Sequence, residues 1–326
     1  MKTLALSWVA LALLLLVFIG LLPVSAQARV TLAAACPPAR PGFFACELMG
    51  GLGRLIPQNL SNVEAVVLRT AAFPDAMQSI AERRADLGIV GSVIVLDAFL
   101  GEDVYRGKPI PVRTLTPIHD LFVYHLVTLE ETGIRVIGDL RGKRVALDPP
   151  VARDALRFLR AAGLDPDRDM RRETPPLGGW TAALRERRVD AAFVVASGSF
   201  TEPGIIDLAI TPGVRMRLIP LDGLLATLQK EFGARYVKGS VGKELYPGMT
   251  ADVPTIVATA LVIATQAFDT DLAYQITRLI YERRGELAQS HSSAQYITLL
   301  GAAERSRIPF HPGAVRYFKE RGVLGF

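Results

Sequence analysis

Hydrophobic and polar positions alternate along the chain in short blocks, which predicts strands and helices in turn. Between residues 30 and 100, three short apolar runs are each followed by a segment whose apolar residues recur at helical spacing. The runs are 30–35, 65–68 and 87–90, and the helical segments are 46–55, 75–84 and 94–100. This βαβαβα order predicts a parallel sheet covered by helices on both faces.

A longer apolar strand at 121–128 separates this region from a second one that repeats the alternation. Its predicted strands are 145–147, 191–195 and 217–220, and its helices are 154–162 and 181–187. Later in the chain come a helix at 224–232, a strand at 255–263 and a largely helical segment at 270–321. No low-complexity linker divides the two regions. We therefore expect two α/β lobes joined by crossing strands, with lobe 1 formed by 29–125 and 225–326 and lobe 2 by 126–224.

The strand ends indicate where a ligand would bind. In an open α/β sheet, ligands lie outside the carboxyl ends of the strands. The turns at those ends are 36–45, 70–75, 91–94, 148–154 and 196–200. All five are expected to face one cleft between the lobes, which predicts a small-molecule binder or an enzyme.

The N-terminal segment is typical of an export signal. Lys2 precedes a nearly unbroken apolar run at 4–22, and Ala26-Gln27-Ala28 supplies small residues before a cleavage site. We expect a signal peptide at 1–28 and a periplasmic protein. The alternative is an uncleaved membrane anchor, because about 20 apolar residues can span a bilayer.

Composition and motifs exclude several classes of function. The net charge of +5 is spread over the chain without a basic stripe, so nucleic acid is not an expected partner. The histidines and cysteines lack metal-ligand spacing, and no phosphate loop, dinucleotide fingerprint or nucleophile elbow is present. Neither a metal nor a cofactor is expected, and a binding protein is favoured over an enzyme. Cys36 and Cys46 form a candidate disulfide in an oxidising compartment; the alternative is two buried thiols.

Five stretches of sequence, taken in order, resemble the TAXI-type solute-binding subunits of TRAP transporters. They are GIRVIGDLRGKRVAL at 133–147, RAAGL at 160–164, LIPLDG at 218–223, YPGMTADVPT at 246–255 and HPGAVRYFKERG at 311–322. The resemblance covers roughly 60–326 and fades in 30–60.

The resemblance implies a two-lobed type II periplasmic-binding-protein fold. Such a protein closes on a small carboxylate, for example glutamate or 2-oxoglutarate, and passes it to a sodium-coupled membrane permease. We therefore expect a small organic anion as ligand and TRAP-type permease subunits as partners. Two alternatives are a membrane-tethered receptor that serves a sensor and an enzyme built on the same fold.

The chain departs from the family at the ligand-binding turns. Where the family has Thr-Gly-Gly-Ser, only Thr70 remains, and where it has Gln-Ser-Asp, only Ser92 remains. The family's Pro-Pro-Gly-Ser-Gly-Thr turn keeps Pro149 and Pro150 but loses its glycines. We expect a pocket that is less polar or differently shaped than glutamate needs.

Arg153 is the most specific candidate for a ligand-binding residue. It lies in the first turn of a predicted helix, where its guanidinium could bind a carboxylate through two hydrogen bonds. The alternative is a solvated arginine paired with Asp148 or Asp154.

Six further residues complete the predicted site. Phe43, Phe44 and Trp180 are candidates for an apolar or stacking wall, with an ordinary core position as the alternative for each. Thr70, Ser92 and Ser197 place hydroxyl groups at strand ends, where they could contact a ligand.

Overall fold

A computed structural model describes residues 28–37, 43–197, 201–233, 235–303 and 308–323. The predicted signal peptide lies outside these residues, apart from Ala28. Within the described part of the chain, no helix is both long enough and apolar enough to cross a membrane.

The first half of the fold has the alternation that the sequence predicts. Its strands are β1 (Ala28–Ala35), β2 (Val63–Thr70) and β3 (Leu87–Gly91), and its helices are α1 (Phe44–Asn59), α2 (Phe73–Ala81) and α3 (Ser92–Leu100). The strands pair in parallel in the order β2-β1-β3. Helices cover both faces, because each turns one apolar stripe toward the sheet.

Two long strands run through both halves of the sheet. They are β4 (Val112–Leu129) and β10 (Val253–Thr265), and they pair with each other in antiparallel fashion. The register between them shifts between Ala258 and Ala260. Strands β1, β2 and β3 pair in parallel, as the sequence predicts, whereas β10 is antiparallel to β3, so the sheet as a whole is mixed.

The second half repeats the alternation on the other ends of β4 and β10. Its strands are β5 (Arg144–Leu147), β6 (Arg171–Glu173), β7 (Ala191–Ser197), β8 (Met216–Ile219) and β9 (Val237–Val241). Its helices are α4 (Ala152–Ala161), α5 (Trp180–Arg185), α6 (Pro203–Ile210) and α7 (Leu225–Phe232). The path across the whole sheet is β2-β1-β3-β10-β4-β7-β5-β6, with β8 beside β4 and β9 beside β10.

Helices α8 (Thr270–Glu282), α9 (Arg284–Ser290), α10 (Leu299–Ala303) and α11 (Pro312–Glu320) return to the first half. His311 caps α11 by accepting a hydrogen bond from the Gly313 N–H group. Gly313 permits close contact with α8, since a Cβ there would lie 2.3 Å from the Thr270 carbonyl oxygen.

Packing divides the described residues into two halves with separate cores. Residues between 224 and 257, assigned from the sequence mainly to lobe 1, pack with the second half instead. Leu228 and Tyr236 belong to the core on one face of that half, and Val241 belongs to the core on the other. The strand β10 contributes to both cores: Ala258 packs in the core of the second half and Ala260 in the core of the first.

A disulfide joins Cys36, just after β1, to Cys46 in the first turn of α1. The bond closes a short loop whose sequence separation is 10 residues. A cross-link of this length stabilises a fold mainly by restricting the unfolded chain.

We expect the double variant Cys36→Ser/Cys46→Ser to lose about 2–3 kcal/mol of unfolding free energy, as loop closure of this length predicts. Urea unfolding measures the loss. Dithiothreitol should destabilise the wild-type protein by a similar amount and leave the double variant unchanged. If dithiothreitol changed the unfolding free energy of the wild type and of the double variant equally, the disulfide would be contradicted.

His125 lies buried on β4, where the two halves meet. Its Nδ1 atom is 2.9 Å from the Val123 carbonyl oxygen, and its Nε2 atom is 3.3 Å from the Tyr246 hydroxyl. Burial lowers the pKa of His125 to about 4. The folded protein therefore holds this imidazole neutral at pH values where the unfolded chain would protonate it.

The lowered pKa predicts acid destabilisation. The unfolded chain takes up the proton below about pH 6.5, so the contribution of His125 to stability is lost as the pH falls from about 6.5 toward 4. Once His125 is protonated in both the folded and the unfolded protein, the total loss of unfolding free energy is about 3 kcal/mol. His125→Gln should show a shallower decline across that window in urea unfolding. A variant whose stability follows the wild-type pH profile would refute this assignment.

Candidate functional site

A cavity of about 470 Å³ lies between the two halves. Residues of four predicted turns line it, namely 36–45, 70–75, 91–94 and 148–154. At the fifth turn, Val195 lines the cavity at the end of β7, and residues 198–200 lie outside the described part of the chain. The strand ends therefore converge on one site, and its volume is within the range of roughly 300–1,000 Å³ that small-molecule sites occupy.

The central strands contribute one side of this cavity. Phe122 and Tyr124 lie two residues apart on β4 and so project from the same face of the sheet. Phe122 is paired with Ala258 on β10, and Tyr124 with Val195 on β7. All four residues line the cavity.

Four phenylalanines form an aromatic cluster beside the cavity: Phe43, Phe44, Phe73 and Phe122. The Phe73 and Phe122 ring centroids are 5.6 Å apart with perpendicular planes, and Phe43 lies 5.6 Å from Phe73. Phe44 is fully buried behind the other three, which line the cavity. Gly91 leaves room for this arrangement, because a Cβ there would lie 3.3 Å from the Phe122 ring.

Three helices begin at the cavity. The first residues of α2 and α3, Phe73 and Ser92, line it, as does Arg153 in the first turn of α4. The first N–H groups of a helix have no partner within the helix and carry partial positive charge. This end of each helix favours an anion.

Asp154 is a carboxylate in the wall of the cavity, and both of its oxygens accept hydrogen bonds. The Tyr124 hydroxyl donates to one oxygen at 2.9 Å, and the Tyr236 hydroxyl donates to the other at 2.7 Å. Burial, reinforced by the nearby Asp154 charge, raises the pKa of both tyrosines well above the usual range. Both hydroxyl groups therefore remain protonated and hold the carboxylate in place.

Arg153 lines the cavity with about a third of its side chain exposed. Its Nη1 atom lies 3.3 Å from Asp97 and 3.4 Å from Asp103, which belong to the first half of the fold. The sequence suggested Asp148 or Asp154 as its partners. Asp148 instead accepts a hydrogen bond from the Gly178 N–H group. This bond anchors the first residue of the turn at 148–154, which has no glycine.

Arg153 belongs to a larger ion-pair cluster made of Asp97, Glu102, Asp103, Arg153, Arg157 and Arg235. The carboxylate of Asp97 is 1% exposed and lies 3.0 Å from Arg157 Nη2 and 2.9 Å from Arg235 Nε. Both arginines are also buried. Because Asp97 lies on α3 while Arg157 lies on α4, the cluster connects the two halves across the cavity edge.

The structure brings three of the seven predicted ligand-binding residues to the cavity wall: Phe43, Ser92 and Arg153. Phe44 lies in the core behind the wall. The Thr70 hydroxyl donates to the carbonyl oxygens of Ala34 and Ala72, so it holds its turn together.

Trp180 and Ser197 have different surroundings. Trp180 is fully buried in the core and is not among the described residues that line the cavity. Its ring packs against Gly204 at the start of α6, where an added Cβ would lie 2.6 Å away. The Ser197 backbone is paired with Phe122 at the end of β7, and its hydroxyl lies outside what the structure describes.

Sequence reasoning missed five of the residues that shape the cavity: Phe73, Tyr105, Phe122, Tyr124 and Asp154. Phe122 and Tyr124 could have been found from the period of two along β4. Tyr105 lies in a short turn, Asp103–Tyr105, for which no periodic signal exists.

We expect Asp97→Asn to cost about 2 kcal/mol or more of unfolding free energy, because it removes the buried carboxylate that Arg157 and Arg235 share and leaves them only the more exposed Asp103 and Glu102 and the more distant Asp154. Asp271→Asn is the matched control, since Asp271 is 76% exposed in a surface pair with Arg316 and should cost less than about 1 kcal/mol. Urea unfolding measures both losses. Equal, small losses in the two variants would show that the cluster does not stabilise the fold.

The comparisons with known proteins agree with this architecture. A putative periplasmic sulfonate-binding protein of an ABC transporter from Methylobacillus flagellatus matches with a TM-score of 0.51 and 16% identity, over 92% of this chain and 88% of that one. A Xanthomonas citri protein solved with a bound chloride ion matches with a TM-score of 0.52 and 12% identity, over 90% and 95% of the two chains. These similarities confirm the predicted α/β, two-lobed type II periplasmic-binding-protein fold. A family model also matches residues 47–322, and the chain belongs to the NMT1-like family.

Proposed function

We propose that this protein is an extracytoplasmic solute-binding protein that captures a small organic anion between its two halves and delivers it to a membrane transporter. The observation that carries the proposal is the cavity between the halves, lined by the strand-end turns of both. A cleft that receives groups from two lobes can close on a ligand and release it by hinge motion.

The charges at the cavity favour an anion. The starts of α2, α3 and α4 direct partial positive charge toward the ligand. Asp154 already accepts hydrogen bonds from two tyrosines, whereas Arg153 has five N–H donors and two long ion pairs. Because both ion pairs use Nη1, a carboxylate or sulfonate can bind the remaining N–H donors of Arg153 while Asp97 and Asp103 stay in place.

The two cores support the proposed domain arrangement. The halves act as lobes, and β4 and β10 form the hinge where the cores change. Periplasmic localisation is supported by the N-terminal apolar segment and by the disulfide between Cys36 and Cys46. A binding role, rather than catalysis, is supported by the Methylobacillus neighbour, a putative sulfonate-binding protein.

The transporter partner has two candidates. The five stretches that resemble TAXI-type proteins support a sodium-coupled TRAP permease, whereas the Methylobacillus neighbour is described as part of an ABC transporter. We favour the TRAP permease because its support comes from this chain's own sequence. Uptake that stops when the sodium gradient is dissipated supports it, and uptake that persists until ATP is depleted supports the ABC system.

We expect Arg153→Ala to weaken binding of the best ligand from a screen of carboxylates, sulfonates and amino acids by about tenfold or more, as a charge-assisted hydrogen bond predicts. Thermal shift identifies the ligand and titration calorimetry measures its Kd. Arg160→Ala is the matched control, because Arg160 is exposed at the far end of the same helix.

Two results would contradict the proposal at different levels. Unchanged affinity in Arg153→Ala would refute the role of Arg153 in binding the anion. A broad screen in which no compound raises the melting temperature would refute solute binding itself.

A further inference from the structure

The cavity wall is far more apolar than a site for a small polar acid requires. Of the 22 described residues that line it, five carry a polar side-chain atom: Ser92, Tyr105, Tyr124, Arg153 and Asp154. The remainder are aliphatic or aromatic residues, prolines and one glycine. A polar ligand group placed against this wall would lose its hydration without gaining hydrogen bonds.

Among the described residues of the wall, one charged side chain offers a centre for a ligand charge. The Tyr124 hydroxyl and both oxygens of Asp154 are committed to each other and to Tyr236. Arg153 is the charged side chain in the wall with donors available to a ligand. A second carboxylate would find no second cation among the described residues of the wall. Ser92, Tyr105 and the helix N-termini offer it hydroxyl groups and partial charges, so part of its desolvation cost would remain.

The aromatic cluster offers a specific surface for the rest of the ligand. Phe73 and Phe122 meet edge to face at 5.6 Å, and Phe43 is tilted against Phe73 at the same distance. Rings arranged in this way present both edges and faces to the cavity. A further aromatic ring gains favourable quadrupole contacts there beyond the area that it buries, whereas a saturated ring of similar size does not.

The positions of these rings are fixed by the fold. Phe122 lies on β4 next to Gly91, and Phe73 is the first residue of α2. The buried ring of Phe44 packs against both of them from the core. Because a rigid wall loses little conformational entropy when a ligand binds, its aromatic preference should appear directly in affinity.

We infer that the ligand is an aromatic monoacid, with its single carboxylate or sulfonate on Arg153 and its ring against Phe43, Phe73 and Phe122. This inference rests on the proposed function and narrows the class of anion. Phe73 and Phe122 are then specificity-determining residues of the site.

The test uses acids in matched pairs that differ only in aromaticity: benzoate with cyclohexanecarboxylate, phenylacetate with cyclohexylacetate, and benzenesulfonate with cyclohexanesulfonate. Titration calorimetry on the mature protein should show at least one aromatic acid binding about tenfold more tightly than its saturated partner, the effect of roughly two aromatic contacts. Benzylammonium, which reverses the charge, and the dicarboxylate 2-oxoglutarate should bind more weakly than that aromatic acid.

Variants localise the preference to the cavity wall. Phe122→Leu and Phe73→Leu keep an apolar side chain and should each reduce the aromatic-over-saturated ratio at least threefold, while binding of the saturated acid changes little. Phe268→Leu is the control, since Phe268 packs near His311 and does not line the cavity, and it should leave the ratio unchanged. Circular dichroism and thermal unfolding verify that each variant is folded.

The outcomes separate the inference from the proposed function. Equal or tighter binding of the saturated acids or 2-oxoglutarate would overturn the aromatic assignment and leave anion binding intact. Tighter binding of benzylammonium would overturn the anionic assignment. If none of these acids binds, nor any other compound in the broad screen, both the inference and the proposed function fail.

Discussion

The arrangement of the two halves depends on one buried carboxylate. Asp97 reaches from α3 to arginines of the second half, and its side chain and those of Arg157 and Arg235 are almost completely removed from water. A buried ion loses several kcal/mol of hydration, so Asp97 needs both arginines, which are further neutralised by Asp103 and Glu102. The position of α4 relative to α3 is thereby constrained, and with it the width of the cavity between them.

The same ion-pair cluster explains why the cavity is largely apolar despite the charges around it. Arg157 and Arg235 direct their guanidinium groups to Asp97, while Tyr124 and Tyr236 donate to Asp154. These charges and hydroxyl groups are therefore used within the protein. Among the described lining residues, the side formed by Phe43, Phe73 and Phe122 has no such groups, and Arg153 is the one accessible cation beside this apolar wall.

The sequence predicted those elements whose apolar residues follow a clear period. β1, β3, α3 and β5 lie within two residues of their predicted ends, because each packs an apolar stripe or run against the sheet. The short edge strand β6 consists of charged residues and gave no signal, and α6 also went unpredicted. β4 begins at Val112 rather than at 121, since polar residues such as Thr114 and Thr116 become strand residues by pairing with β10. Long-range pairing of this kind is decided by the partner strand.

By itself, the sequence determined the α/β class, the turns where a ligand would bind and the presence of Arg153 at the start of α4. Each of these follows from local periodicity and from the rule that ligands lie at the carboxyl ends of strands. Tertiary structure alone decided which side chains reach the cavity. It buried Trp180 and Phe44, brought Phe122 and Asp154 to the wall, and paired Arg153 with Asp97 and Asp103. The two ion pairs of Arg153, for example, join residues 50 or more positions apart, which no local pattern of polarity encodes.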